Sequence, residues 1–192
     1  DTQGNVEQFI CLAVSRKEHA YCIGGKRLDN QTWCRIVNDI SGGAIIEQNC
    51  KYQDGNRVSV CDIVSVKCLQ QSPCGHHLEN VCIDLQQRYW TKIGSVSWSY
   101  LQQLVDKDNG LWENGHHSSN GFNNRVQEQF VDNQLGSLRF IKINDLTLRV
   151  FDNGYGLKKY GLFTYESIQY QLNLTDPYWE EMIYKGDIVD GH

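Results

Sequence analysis

Long apolar runs are missing from this sequence. The longest are residues 9–14 and 44–46, whereas a helix needs roughly 20 consecutive apolar residues to cross a bilayer. We therefore predict no transmembrane segment and no membrane partner.

Familiar catalytic motifs are absent as well. There is no Gly-x-Ser-x-Gly, no His-Glu-x-x-His and no complete Gly-x-x-x-x-Gly-Lys phosphate loop, which disfavours the hydrolase and nucleotide-binding classes that carry them. Gly24-Gly25-Lys26 lacks the rest of the phosphate-loop pattern and is interpreted as a turn. The alternative is a scattered catalytic set of His77, Glu79 and Asp62, with Asp176 as a further candidate, since imidazole and carboxylate share acid–base work.

A general excess of positive charge is also lacking. The 192 residues contain 18 basic and 23 acidic side chains, a net charge of −5. Residues 1–96 hold 10 of each sign, and residues 97–192 hold 8 basic and 13 acidic. A strongly basic nucleic-acid-binding surface is therefore not evident overall, although a local patch on the first half remains compatible with these numbers.

Cysteine, by contrast, is abundant, with all eight copies between Cys11 and Cys82. Several lie in apolar, strand-like stretches, where cysteine acts as a small hydrophobic residue. We therefore expect reduced thiols and a cytoplasmic protein, against which stand two glycosylation triplets, at Asn30 and Asn173.

A metal site is the alternative role for part of this set. Thiolate and imidazole are natural ligands of zinc, but the candidates include no Cys-x-x-Cys pair. We predict no metal and no cofactor, and we interpret this stretch as a structured loop. The candidate ligands for this alternative are Cys68, Cys74, His76 and Cys82.

Strand signals dominate the first half. Residues 9–14, 21–25, 32–37 and 58–67 are apolar, alternating or rich in β-branched residues, which predicts four strands of a small antiparallel barrel. A polar segment at 70–77 then resembles a linker.

The second half combines a predicted helix with two hairpins. Trp98, Leu101, Leu104 and Val105 fit one face of a short helix over residues 96–105. Strands at 137–143 and 146–152 flank an Asn144-Asp145 turn, and strands at 163–165 and 170–174 flank Glu166-Ser167. Pro177 is expected to close the last strand.

A binding surface is predicted on the first barrel. Trp33 and Arg35 are two apart on one strand and share a face, and barrels of the OB type stack bases on aromatics beside cations. The alternative is that Trp33 belongs to the core and Arg35 caps an edge. The full set of candidate binding residues is Ser15, Arg16, Lys17, Lys26, Trp33, Arg35, His77 and Asn80.

These motifs, in their order, resemble the prokaryotic dual OB-containing domain family. The resemblance is carried by Cys11-Leu12-Ala13-Val14-Ser15-Arg16-Lys17, Tyr21-Cys22-Ile23-Gly24-Gly25, Trp33-Cys34-Arg35, Asp62-Ile63-Val64, His77-Leu78-Glu79-Asn80, Leu111-Trp112, Ser137-Leu138-Arg139 and Leu174-Thr175-Asp176-Pro177. It implies a mainly β fold of two small OB-like barrels packed together, with one or two short helices. It also implies nucleic-acid binding in a nucleic-acid-modification or defence context.

The expected domains are a first barrel over residues 1–70, a connecting segment over 71–95 and a second barrel with a short helix over 96–192. The family's final Ser-Leu-Gly strand is missing here, so the second barrel is expected to be short or cut. Three functions stay open at this point: a noncatalytic module for nucleic acid or nucleotides, an enzyme acting on them at a cleft between the barrels, and a module for a protein partner recruited by strand edges. For the enzyme, the competing interpretations are that Glu79 and Asn80 satisfy backbone groups and that Asp176 starts a turn.

Overall fold

The computed structural model describes residues 5–107, 110–112, 114–119, 121–131 and 136–185. They are mainly β structure with very little helix, as predicted. The strands are β1 (Asn5–Lys17), β2 (Ala20–Arg27), β3 (Trp33–Val37), β4 (Ile45–Ile46), β5 (Asp62–Gln71), β6 (Asn80–Ile83), β7 (Thr91–Ser95), β8 (Leu146–Asp152), β9 (Leu157–Tyr165) and β10 (Ile168–Asn173). The described residues also contain one α-helix, α1 (Pro177–Tyr184), and 3-10 turns at Glu47–Cys50, Tyr100–Leu104 and Glu128–Phe130.

Residue contacts divide the chain into two units. The first comprises Asp1–Val105 and Asn133–Phe140, and the second comprises Asp106–Asp132 and Ile141–His192. Strands β6 and β7 lie within residues 71–95, the range assigned above to a connecting segment. Among the described residues, no helix has the length and apolar character that crossing a membrane requires.

The first unit contains a closed five-stranded barrel. Its strands follow the order β1-β2-β3-β6-β5, and β5 pairs back onto β1. The β3–β6 pair is parallel and its neighbours are antiparallel. Two additional strands extend the barrel, since β4 pairs with β2 and β7 pairs with β5. This is a five-stranded barrel of the OB type, with additional strands.

Alternating side chains of these strands fill the barrel together with Trp90, which directly precedes β7. Phe9, Ile23, Val64 and Trp90 are at most 2% exposed, and the rings of Phe9 and Trp90 meet edge to face with centroids 6.3 Å apart. Full burial of an apolar side chain of this size stabilises the fold by about 1.5–3 kcal/mol. Four of the cysteines share this interior as small apolar groups, namely Cys11, Cys34, Cys50 and Cys68.

Gly24, Gly25 and Lys26 lie inside β2, so the predicted turn at this place is wrong. Gly25 is required by the close approach of β1, because a β-carbon there would lie 2.0 Å from the Ile10 carbonyl oxygen. The pairing of β1 with β2 also shifts register between Cys11 and Ala13, and such a bulge increases the local bend of a strand.

The described strands of the second unit form one antiparallel sheet in the order β10-β9-β8. The predicted hairpin around Glu166 and Ser167 is confirmed by the β9–β10 pairing. Both residues have positive φ, 48° and 68°, as a type I′ hairpin turn requires.

The other predicted hairpin is wrong. Strand β8 pairs with β9, and residues 137–143 form no strand. The reason is that Leu138 and Phe140 pack within the first unit and are not available to pair with β8.

Two helix predictions also change. The expected helix over 96–105 is a 3-10 turn at Tyr100–Leu104, with Leu101 and Leu104 buried as predicted and Trp98 76% exposed. Pro177 begins α1, where its missing N–H costs nothing.

Candidate functional site

The outer face of β2 and β3 holds most of the predicted binding residues. Tyr21, Ile23, Cys34 and Ile36 fill the barrel, so the alternate residues of these strands point outward. Cross-strand partners on this outer face are Lys26 with Trp33, Gly24 with Arg35, and Arg35 with Asn80 of β6. In OB-type barrels, the face of the second and third strands is the one that binds oligonucleotides.

Arg35 is held in place by a buried amide. Its Nε donates to Asn80 Oδ1 at 2.7 Å, and Asn80 is 0% exposed. Among the described residues, no other nitrogen of this guanidinium has a hydrogen-bond partner. The planar head group is therefore oriented by one bond, and its two terminal nitrogens remain available to a ligand.

Asn80 itself has one unused hydrogen-bonding group. Its buried Nδ2 has no hydrogen-bond partner in the described part of the chain. Gly42 leaves room beside it, since a β-carbon there would lie 3.2 Å from Asn80 Nδ2 and 3.9 Å from Arg35 Nη2. Unsatisfied buried donors are costly and therefore uncommon.

His77, Ser137 and Glu79 form a hydrogen-bonded chain beside Arg35. The Ser137 hydroxyl donates to Glu79 Oε1 and lies 2.7 Å from His77 Nδ1. A hydroxyl has only one proton to donate, and Ser137 donates it to Glu79. In the hydrogen bond between His77 and Ser137, the donor is therefore His77 Nδ1–H, and the Ser137 oxygen accepts. Nε2 of a neutral His77 is then the unprotonated nitrogen.

The protonation of His77 is shifted by its surroundings. Burial, and next the positive charge of Arg35, lower the pKa of His77, while Glu79 acts in the opposite direction. A lowered pKa keeps the imidazole neutral at pH 7. The site can therefore offer one fixed cation and one neutral base.

Lys26 and Trp33 are covered by other parts of the first unit. Lys26 Nζ donates to the Leu104 carbonyl oxygen at 2.7 Å and lies 5.6 Å from the Trp33 ring centroid. Lys26 is 6% exposed, and Trp33 packs against a cluster that contains Leu101 and Leu104. This placement does not favour the predicted stacking of bases on Trp33.

Ser15, Arg16 and Lys17 lie at the end of β1. Arg16 and Lys17 are exposed, and Ser15 is partly exposed. Ala13 is the β1 partner of Gly24, so Ser15 and Lys17 continue the Gly24–Arg35 face toward the end of the strand. Lys17 therefore extends the positive character of this face beyond Arg35, whereas Arg16 points to the other side of the strand.

A distant stretch of chain, residues 136–140, covers part of this face. Leu138 lies over Gly24, Ser137 contacts His77 and Glu79, and Phe140 packs in the cluster that holds Trp33. Sequence reasoning did not predict Ser137 as a partner of His77. The only signal was its place in the Ser137-Leu138-Arg139 motif.

The remaining candidates are spread over other positions. Cys68 faces the barrel interior, whereas Cys82 lies between two core residues of β6 and points outward, and Cys74 is exposed. Among the residues that the structure describes, no group of three His, Cys, Asp or Glu side chains could hold a metal.

Asp176 belongs to the second unit, at the start of α1. Its Oδ1 accepts a hydrogen bond from the Tyr178 amide at 2.8 Å, as an N-terminal helix cap does. Burial raises the pKa of Asp176, and the hydrogen bond from the Tyr178 amide lowers it.

Comparison with known proteins agrees with the barrel topology. The model of the family described as the dual OB-containing domain matches residues 7–189. No curated protein and no solved structure matches. Because the family model matches nearly all of the chain, the protein belongs to the dual OB-containing domain family.

Proposed function

We propose that the first unit is a noncatalytic module that binds single-stranded nucleic acid or a nucleotide, with Arg35 as its central contact. The observation that carries this proposal is the guanidinium of Arg35, fixed by buried Asn80 on the ligand face of an OB-type barrel with its terminal nitrogens available. Guanidinium groups bind phosphate and the edges of bases through paired hydrogen bonds. We place this activity in a prokaryotic nucleic-acid-modification or defence setting.

The electrostatics of the face support weak, salt-sensitive binding. Lys17 and Arg35 are its candidate phosphate contacts. Two contacts to a single strand predict that the logarithm of affinity falls with the logarithm of salt concentration with a slope of about −1.4.

The test uses fluorescence anisotropy with labelled single-stranded DNA, RNA and mononucleotides at low salt. Arg35→Ala is expected to weaken binding about 10- to 100-fold, since hydrogen bonds to charged groups contribute about 1.5–3 kcal/mol. Arg88→Ala is the matched control, because Arg88 is an exposed arginine of the same unit that stacks on Tyr89. Unchanged affinity in Arg35→Ala, or no binding by the unaltered chain at low salt, would reject the proposal.

A second candidate is an enzyme that acts on nucleotides or nucleic acid. It is favoured by the chain from His77 through Ser137 to Glu79, which leaves Nε2 of His77 as a base able to accept a proton from water. Nuclease and nucleotide-hydrolysis assays with added divalent metals test this idea. Activity that disappears in His77→Ala supports it, and activity that survives there counts against it.

A further inference from the structure

Aromatic and basic side chains alternate on one face of the β8–β9 hairpin. Arg149 is paired with Tyr160 across the hairpin, and Phe151 is paired with Lys158. Cross-strand partners and residues two apart on a strand share a face, so the aromatics occupy one diagonal and the cations the other. The Phe151 and Tyr160 rings are stacked with centroids 5.9 Å apart, and the Arg149 guanidinium lies 5.3 Å from the Phe151 centroid.

The tip of this hairpin presents a further ring. Tyr155 is 97% exposed and lies between Gly154 and Gly156, whose φ angles of 84° and 125° favour glycine. The Gly154 amide donates to Asp152 Oδ1 at 2.8 Å, and the Tyr155 amide donates to Asn153 Oδ1 at 3.0 Å. These bonds order the backbone of the turn that carries Tyr155 at the hairpin tip.

The hairpin is positively charged within an acidic half of the chain. Residues 146–165 hold three basic side chains and one acidic side chain, whereas residues 97–192 hold 8 basic and 13 acidic. The acidic one, Asp152, accepts the Gly154 hydrogen bond at the tip. Aromatic rings beside cations are complementary to a ligand that has flat bases and negative phosphates.

The same face leads to a cleft of about 250 Å³ in the second unit. Thr147 lies two residues from Arg149 on β8, and it lines the cleft together with Gln169 and Phe122. A hydroxyl and a side-chain amide can each donate and accept hydrogen bonds. The cleft therefore offers an aromatic wall and polar groups suited to the edge of a base.

We propose that the hairpin surface, defined as Arg149, Phe151, Tyr155 and Lys158, binds single-stranded nucleic acid. Bases stack on Phe151 and Tyr155, and backbone phosphates lie against Arg149 and Lys158. This proposal rests on the proposed function for its class of ligand, but it shares no residue with the Arg35 site. A nucleic acid suits the surface because the cations of Arg149 and Lys158 are complementary to phosphates, and the neighbouring aromatic rings are complementary to bases.

The experiment measures binding of a labelled 15-nucleotide single strand to the full chain. Phe151→Ala and Tyr155→Ala should each weaken binding about tenfold, as expected for loss of one stacked base. The double variant Arg149→Ala/Lys158→Ala should reduce the magnitude of the salt slope by about 1.4, which corresponds to two phosphate contacts. Tyr178→Ala and Lys185→Ala are controls, since both side chains are exposed on the same unit, and neither should change affinity.

The outcomes separate this proposal from the first one. If Arg35→Ala weakens binding and the hairpin variants do not, the hairpin proposal is wrong and the proposed function stands. If only the hairpin variants weaken binding, the hairpin proposal stands and the Arg35 site is wrong. If the unaltered chain does not bind, both fail. Self-association that is lost in Phe151→Ala and Tyr155→Ala, with nucleic-acid affinity unchanged, would show a protein interface instead.

Discussion

Leu138 occupies the space above Gly24, with its Cδ1 2.9 Å from the position that a β-carbon at Gly24 would take. The neighbouring Gly25 faces the barrel backbone, where a β-carbon would lie 2.0 Å from the Ile10 carbonyl oxygen. One glycine is thus opposed by the end of a flexible side chain and the other by main chain.

This difference predicts unequal effects of two alanine substitutions. Gly24→Ala should cost at most about 1 kcal/mol of unfolding free energy, because the tip of Leu138 can move. Gly25→Ala should cost about 3 kcal/mol or more, because strand β1 would have to shift. Urea denaturation of both variants measures the difference, and equal losses would contradict the geometry.

The bond between Asn80 and Arg35 predicts coupled effects on stability and binding. Asn80→Ala removes the acceptor of Arg35 Nε, so we expect a loss of about 1–3 kcal/mol in unfolding free energy and a loss of affinity similar to that of Arg35→Ala. A double-mutant cycle by urea denaturation should give a coupling energy of about 0.5–3 kcal/mol. Additive effects would mean that Asn80 does not position Arg35.

The lowered pKa of His77 predicts a dependence of stability on pH. Burial and Arg35 lower this pKa from its ordinary value of 6.5 in the folded chain, so the unfolded chain binds a proton at His77 more readily. As pH falls through about 6.5, protonation therefore favours unfolding, whereas well above 6.5 the effect is absent.

The comparison needed is His77→Gln, which cannot take up this proton. The stability of the unaltered chain relative to His77→Gln should fall between pH 7.5 and pH 5, as measured by urea denaturation at each pH. A relative stability that rises toward acid pH would show that Glu79 outweighs burial and Arg35.

The cysteines predict a graded reaction with thiol reagents. Burial raises the pKa of the Cys34 thiol to about 12 and that of Cys50 to about 11, and the thiolate is the reactive form. At pH 8 the exposed Cys74 should react first, and in denaturant all eight thiols should react. Cys74→Ser should lack the fast phase. Fewer than eight thiols in denaturant would contradict the expectation of reduced cysteines.

Much of the first barrel could be predicted, because its strands carry local signals. Alternation and β-branched residues locate β1, β2, β3 and most of β5. Strand β6 was not predicted, since its four residues follow a polar loop and are too few to show a period. The turn at Glu166 was found because hairpin chemistry is local.

The candidate site was predicted in part, because some of its residues lie in local sequence motifs and others depend on contacts that are distant in the sequence. Arg35, His77, Glu79 and Asn80 were singled out in the sequence, and pairing of β3 with β6 brings them together. Burial of Lys26 and Trp33 depends on Leu104 and Phe140, which lie about 70 residues or more away along the chain. The residues near Trp33 in the sequence give no signal of its contacts with Leu104 and Phe140.

The path of the chain through the first unit affects how this unit folds during synthesis and where the chain can be truncated. Because this unit takes Gly136 to Phe140 from beyond residues 106–132, its surface layer cannot be completed until the ribosome has produced residue 140. A fragment ending at Val105 would leave Trp33, Ile10 and Leu12 without Phe140 and Glu79 without Ser137. Truncation at residue 105 would therefore remove side chains that pack on the first unit. Limited proteolysis at this point should release no stable product that corresponds to the whole unit.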